Sequence, residues 1–297
     1  MAHSGTMKLS ARDWFQRGSQ AVSVEPRTPQ ARFPLHNHEF GEVVIVMSGN
    51  GWHLWNDEPQ LITSGEVLYI RPEDRHAFEE VHDLYLTNFI YRPSDRLLRP
   101  DRIHELLENP GSNQRWQLTE HSVRQLRPLI AELSREAHSD GPHSDVMAEC
   151  LFIQLAVALW RLRIPIACDE LENPGHFGNV LAYLRRHCTE EVNVEEVALR
   201  SGFSLRTFTR MFRAATSTTP HKYLVELRIG RAMQEIRANQ HSITEVAFAS
   251  GFNDSNYFSS CFKKRTGVSP SEYRRHAQRS RSPMVEAGSA GAQAPRR

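Results

Sequence analysis

The sequence predicts a two-domain α+β protein: an N-terminal small β-barrel carrying a helical pair, followed by a C-terminal all-α domain of two helix-turn-helix units. Three observations lead there. A block of residues from Val194 to Tyr273 is nearly said twice, short β-prone runs crowd between Ala21 and Tyr91, and charge divides unevenly along the chain. Residues 176–297 hold 19 Lys and Arg against 10 Asp and Glu, or +9, while residues 1–175 hold 17 against 25, or −8. A basic C-terminal module suits a polyanion, and an acidic partner domain limits indiscriminate binding to it.

The duplication carries most of the information. Val197, Ala198, Ser201, Gly202 and Phe203 return 49 residues later as Val246, Ala247, Ser250, Gly251 and Phe252. Phe208, Phe212, Thr216, Pro220 and Tyr223 return at a spacing of 50, as Phe258, Phe262, Thr266, Pro270 and Tyr273. Each copy is one supersecondary unit. Its punctuation gives helix, tight turn, helix: Gly202 ends the first helix where positive φ is needed, and Ser204 can cap the next. In the second helix Phe208 and Phe212 point inward, while Arg206, Arg210 and Arg213 share the opposite stripe. The second copy offers Asn256, Ser260 and Lys263 there, with Ser259, Lys264 and Arg265 close by. Forked guanidinium and amide groups are what base edges require, and Lys and Arg suit phosphates. Asp254 is either the N-cap of the second such helix or an acceptor for cytosine, and the cap is preferred. The periodic segment His221–Asn239 would join the units and set their reading helices about one DNA turn, ~34 Å, apart. The competing interpretation, a solvated basic helix face, fits one copy better than two.

The runs SGFSLRTFTRMFRAATSTTPHKYL and ITEVAFASGFNDSNYFSSCFKKRTGVSPSEYR resemble the double helix-turn-helix domain of the AraC/XylS family of transcription regulators. The first copy departs modestly, with Ser217 standing where the second has Gly267. The resemblance implies sequence-specific binding to double-stranded promoter DNA, with Arg206, Arg210, Asn256, Ser259 and Ser260 at bases. Arg213, Lys263, Lys264 and Arg265 would then lie at phosphates.

Residues 1–20 contain one amphipathic fragment, Leu9–Phe15, and form an arm. Residues 21–117 form the barrel, with strands over Val43–Met47, Trp52–Trp55, Val67–Ile70 and Leu84–Ile90. Turns are expected at Ser48-Gly49-Asn50-Gly51, Asn56-Asp57 and Ser64-Gly65. Within it His36, His38 and Glu42 precede Gly49, and His76 lies eleven residues beyond Gly65. This spacing resembles the two motifs of the cupin fold, with departures at Arg71, Glu73 and Glu80. Three uses of the cluster compete: hydrogen bonding to sugar hydroxyls or another small polar effector, a structural role, and a divalent metal site. The effector role is preferred, and no metal or other cofactor is expected. Trp52 and Trp55 offer flat rings for a sugar's C–H face or belong to the core, and Asn88 and Arg92 are candidate polar contacts.

The segments LHNHEFGEVVIVMSGNGWHLWNDEPQLITSGEVLYI and HDLYLTNFIYRPSDRL are similar to the N-terminal domains of the L-rhamnose-responsive activators within the same family. The resemblance implies a sugar effector, L-rhamnose, held by some of His36, His38, Glu42, Trp52, Trp55, His76 and Asn88.

Residues 92–117 are turn-rich, with Pro93, Pro100 and Asn109-Pro110-Gly111. Residues 118–164 form a helical pair, about His121–His138 and Ser144–Arg163, broken at Gly141-Pro142. By resemblance this pair dimerises the regulator; packing on the barrel is the alternative. Residues 165–175 read as a linker, 176–276 as the DNA-binding domain opened by a helix at about Gly178–His187, and 277–297 as a disordered tail. Cys150, Cys168, Cys188 and Cys261 lack any C-x-x-C pair and suit reduced core thiols in a cytosolic protein. Met1–Thr6 lack an apolar core, so no export signal is expected, and no stretch is long enough for a membrane span.

These residues point to a cytoplasmic, nucleoid-associated homodimeric activator of carbohydrate catabolism genes that binds DNA, a small sugar and RNA polymerase, and not to an enzyme. Two alternatives remain: a metal-dependent cupin enzyme acting on a carbohydrate, and an AraC-type regulator responding to a different small molecule.

Overall fold

The computed structural model describes residues 7–15, 17–92, 100–108, 115–163, 177–216 and 218–281. Pro93, Asn109-Pro110-Gly111, the linker 165–175 with Cys168, Ser217 and the tail from 282 lie outside the described residues.

The N-terminal domain is one eight-stranded sheet: β1 (Met7–Leu9), β2 (Val22–Arg27), β3 (Phe33–His38), β4 (Gly41–Trp55), β5 (Glu58–Thr63), β6 (Glu66–Ile70), β7 (His76–Tyr91) and β8 (Arg115–Gln117). Its strand order is β1-β3-β7-β4-β6-β8, with β2 added to β7 and β5 to β4. β1 and β3 pair in parallel and the other pairs are antiparallel. The two long strands differ from expectation. Ser48-Gly49-Asn50-Gly51 is not a turn but a region of register shifts inside β4, where Gly49 has φ 81°. A Cβ on Gly49 would sit 1.9 Å from the Asp83 carbonyl oxygen, so only glycine lets β7 approach there. Asn56 and Asp57, at φ 47° and 70°, make the tight hairpin to β5, and Gly65 at φ 82° the next one.

Period-two alternation gives the sheet two buried faces. Val44, Val46, Ile62, Leu68, Ile70, Phe78 and Leu86 cluster together on one face. Val43, Ile45, Val67, Phe89 and Tyr91 pack on the other against α1 (Pro100–Leu107), α2 (Glu120–Ala137) and α3 (Ser144–Leu162). Thr119 caps α2 by accepting from the Ser122 amide. α1 and β8 fall in the stretch expected to be turns.

The C-terminal domain comprises α4 (Phe177–His187), α5 (Val194–Arg200), α6 (Leu205–Thr216), α7 (Pro220–Ala238), α8 (Ile243–Ala249), α9 (Ser255–Thr266) and α10 (Pro270–Arg281). α10 continues past residue 276, where the tail was expected to begin. Gly202 and Gly251, at φ 80° and 89°, end α5 and α8 as the duplicated glycines require. Ser204 Oγ accepts from the Thr207 amide, and Ser242 and Glu245 form a capping box at α8. Phe208, Phe212, Phe258 and Phe262 are fully buried in the shared core. Among the described residues no helix is long and apolar enough to cross a membrane.

Candidate functional site

A cavity of about 220 Å³ opens beside β3, β4 and β7. Alternation places Glu42 on the face of β4 that also carries Val44 and Val46, while register sets His36 opposite His76 and Asn88 opposite Val44. All five polar residues expected here on the strands, His36, His38, Glu42, His76 and Asn88, line the cavity and are buried. Phe33, Phe40 and Phe78 supply apolar wall. This volume falls below the roughly 300–1,000 Å³ of drug-sized ligand sites and suits a single small ring.

The hydrogen bonds fix ring orientations. His38 Nδ1 lies 2.7 Å from the Phe40 carbonyl oxygen and His36 Nδ1 lies 2.9 Å from that of Pro34. A carbonyl only accepts, so both nitrogens carry hydrogens and each Nε2 is left to face elsewhere. His38 also stacks on Phe40 at 4.4 Å. His38 Nε2 and His76 Nε2 each stand 3.5 Å from Glu42 Oε2, and His76 Nδ1 is 3.2 Å from His53 Nε2. Burial, with help from the charge on Arg115 and from His36, pushes His53 down to about 3. Burial likewise lowers His76 well below the ordinary imidazole value and lowers His36. These three rings are therefore neutral at pH 7.

Neither tryptophan expected at the cavity lines it. Trp52 is 1% exposed, but its outward face of β4 turns toward the C-terminal domain, where it joins the core with Leu61, Ile229 and Met233. A Cβ on Gly230 of α7 would sit 2.3 Å from the Trp52 ring, so the two are in direct contact. Trp55 instead pairs across strands with His76 and Glu58. Arg92 packs over the Phe15 ring at 4.5 Å. Sequence reasoning missed Trp14, Arg27 and Gln30, which complete the cavity wall. Trp14 belongs to the amphipathic arm fragment that was noted, and Arg27 stacks on it at 5.2 Å. Arg27 lies on β2, whose Pro26 masks its strand character.

On the C-terminal domain Arg206, Arg210 and Arg213 are exposed on α6, and Asn256, Ser260, Lys263 and Lys264 on α9. Ser259 is half-buried and donates its hydroxyl to the Ser255 carbonyl. Asp254 accepts from the Tyr257 amide at 2.6 Å, the capping role preferred above. Arg265 departs from expectation. It is buried, pairs through Nε with Glu226 at 2.6 Å and reaches Asn50 of the sheet domain at 3.4 Å, so it is not placed to hold a phosphate. Burial raises the Glu226 carboxyl, with the Arg265 charge opposing.

The domains share a polar contact as well. Glu66, 1% exposed, is gripped by Arg115 of its own domain and Arg185 of α4, while Thr63 donates to it at 3.0 Å. Arg237 of α7 donates to the Asp57 carbonyl at 2.9 Å.

Residues 197–276 match the family described as Helix-turn-helix domain, and residues 22–156 match AraC-like ligand binding domain. The chain is 36% identical over 270 residues to the HTH-type transcriptional activator RhaS of Escherichia coli O1:K1 / APEC, covering 90% of this chain and 96% of that one. The same identity and coverage hold for RhaS of Escherichia coli strain SMS-3-5 / SECEC. The DNA-binding domain of AdpA, solved in complex with a target DNA, is 31% identical over 38% of this chain and 97% of its own, with a TM-score of 0.35. With both domains matched in order and a relative this similar along nearly its whole length, the chain belongs to the AraC family of transcription regulators.

Proposed function

We propose that this protein is a sequence-specific DNA-binding transcription activator of carbohydrate catabolism genes whose output is set by a small sugar, L-rhamnose by resemblance, bound in the sheet-domain cavity. The observation that carries this reading is a buried polar set, His36, His38, Glu42, His76 and Asn88, inside an aromatic-walled cavity on the strand that also touches the DNA-binding domain. β4 runs from Glu42 at the cavity to Trp52 on Gly230 of α7, and His53 bridges the two ends through His76. A ligand that moves one end of β4 changes how α7 is held between the two helix-turn-helix units. Coupling of about 1–3 kcal/mol would alter promoter affinity roughly 5- to 150-fold.

In this reading Arg206 and Arg210 enter one major groove and Asn256 with Ser259 or Ser260 enters the next, while Arg213, Lys263 and Lys264 hold phosphates. α3 exposes Val146, Met147 and Trp160, which supports a homodimer built on that helix. RNA polymerase is the downstream partner, and the cytoplasm with its nucleoid the place of action. The relatives' description as activators supports the direction of regulation.

A melting-temperature screen against monosaccharides, paired with promoter binding, tests the proposal. A sugar held well above its Kd stabilises the folded state, and the same sugar must change promoter affinity. Arg210→Ala is expected to cost about 1–3 kcal/mol and relax preference at one base, while Lys263→Ala weakens all sequences alike. No stabilising sugar, or equal losses on promoter and random DNA for both variants, overturns it. Stabilisation by a non-sugar instead selects a regulator with a different effector.

A further inference from the structure

We infer that Arg228 of α7 is a positioning residue that sets the angle between the two reading helices, and with it the half-site spacing the protein accepts. The inference rests on the reading above in which α6 and α9 enter neighbouring major grooves. α7 joins the two units and is held by both. Tyr223 packs against Phe212 of α6 with ring centres 5.3 Å apart, and Arg237 Nε donates to the Tyr273 hydroxyl of α10 at 2.9 Å. Arg228 lies between these two holds. Its Nε donates to the Cys188 carbonyl at 2.6 Å and its Nη2 to the Glu190 carbonyl at 2.8 Å. Cys188, Thr189 and Glu190 follow α4 directly, so one planar guanidinium fork grips the chain on both sides of Thr189.

The gripped segment also meets the second unit. Gly251, in the turn between α8 and α9, has φ 89°. A Cβ there would lie 2.8 Å from Thr189 Cα and 2.9 Å from each of the Cys188 and Thr189 carbonyl oxygens. Backbone therefore rests on backbone where the loop after α4 crosses the turn of the second unit, and neither side can yield by swinging a side chain. The result is a clasp: α7 holds the loop, and the loop abuts the turn from which α9 starts. A connecting helix alone resists bending but lets the units it carries roll about their side-chain contacts. Trapping the loop between Arg228 and Gly251 removes that freedom and leaves α6 and α9 one mutual orientation. The end of a helix also leaves carbonyls that need donors. A role confined to capping α4 would raise stability and leave half-site spacing untouched, which separates the two roles.

The full-length protein, with and without L-rhamnose, is used to select a binding site from a pool of random duplexes. The selected site is then rebuilt with one base pair added or removed between its half-sites. One base pair shifts the half-sites by ~3.4 Å and turns them by roughly 35°. A rigid reader keeps the contacts of one helix and loses those of the other, so wild-type affinity is expected to fall about 10- to 100-fold. Hydrogen bonds from a charged donor each hold by roughly 10-fold or more, so without the fork the same change is expected to cost Arg228→Ala about 3-fold or less. Arg228→Lys keeps the charge on a single point donor and is expected to fall between the two. An unchanged spacing penalty in Arg228→Ala, with affinity lowered alike at every spacing, overturns the inference and leaves Arg228 a cap for α4. A wild type that tolerates the added base pair as readily as the variant overturns it too. If Arg228→Ala does not fold, Arg228→Lys decides on the same comparison. A pool from which the wild type selects no site refutes the DNA-reading proposal itself, whereas a selected site with equal spacing penalties in wild type and variant refutes only the clasp.

Discussion

Gly230→Ala is the most direct probe of the link between the sensing and DNA-binding domains. In an isolated helix the change would add about 0.5–1 kcal/mol, because glycine loses more backbone freedom on folding than alanine. In place, the new methyl would lie 2.3 Å from Cη2 and 2.4 Å from Cζ3 of Trp52, a ring only 1% exposed. Carbon atoms prefer about 3.5–4.0 Å, so an overlap of more than an ångström must be relieved by expelling the indole or shifting α7. Overpacking of this kind costs about 1–3 kcal/mol, and subtracting the helix gain leaves a net loss of up to ~2.5 kcal/mol. In a Trp52→Ala background the obstacle is gone. There Gly230→Ala is expected to be neutral or to stabilise by about 0.5–1 kcal/mol, which makes the pair strongly non-additive. Urea unfolding followed by far-UV circular dichroism on the four proteins of the cycle measures this, and promoter binding with and without effector measures the coupling. Equal destabilisation by Gly230→Ala in both backgrounds would show that the indole does not rest on α7 and would refute the route from β4 to the reading helices.

Three further outcomes follow from polar groups. Glu66→Ala removes the carboxylate shared by Arg115 and Arg185, leaving buried Arg115 the neutral acceptors Gln60 Oε1 and the Leu61 carbonyl, so a loss of about 3–5 kcal/mol in denaturant unfolding is expected; an unchanged midpoint would mean that neutral acceptors already satisfy these guanidiniums. His53, held at about 3 in the fold against 6.5 outside it, binds its proton more readily in the unfolded chain. Its contribution is therefore complete above the unfolded value and is lost as pH falls from 6.5 toward 3, so the protein should lose about 2 kcal/mol from this group between about pH 7 and pH 5. Urea midpoints that do not change over that interval would contradict a neutral buried ring. Asp254→Ala removes the acceptor for the Tyr257 amide and is expected to cost about 0.5–2 kcal/mol, with weaker promoter binding as α9 frays; unaltered melting would return Asp254 to a base-reading role.

What was legible in the sequence is what local rules decide. The doubled units could be read because their caps and glycines act within a few residues, and each recurs at its expected place: Gly202 and Gly251 at positive φ, Ser204 and Asp254 as caps. His36, His38, Glu42 and His76 were legible as a group because their spacing is carried by three strands, β3, β4 and β7, that register side by side. The misreadings are contacts between parts far apart in the chain. Ser48–Gly51 carries the residues of a turn, yet Gly49 serves the close approach of Asp83 from a strand 34 positions away, which no window on β4 reveals. Trp52 reads in sequence equally as a cavity ring or a core residue, because the α7 residues that make up half of its environment lie far along the chain.

Arg265 is different, because the sequence did hold the correction. Counting inward from Phe258 and Phe262 by helical steps reaches 265, and the first copy places Ala215 at the equivalent position. A position that is small and apolar in one unit and arginine in its duplicate lies on the packed stripe, not on the basic face with Lys263 and Lys264. A buried guanidinium there needs a carboxylate, and Glu226 on the connecting helix supplies it at 2.6 Å. The pair and the reach of Arg265 to Asn50 therefore tie the second reading unit to the sheet domain, while the first copy has no counterpart at Ala215. The duplication has been put to unequal use: both units keep an exposed polar stripe, and the second also carries a charged anchor to the domain that holds the cavity.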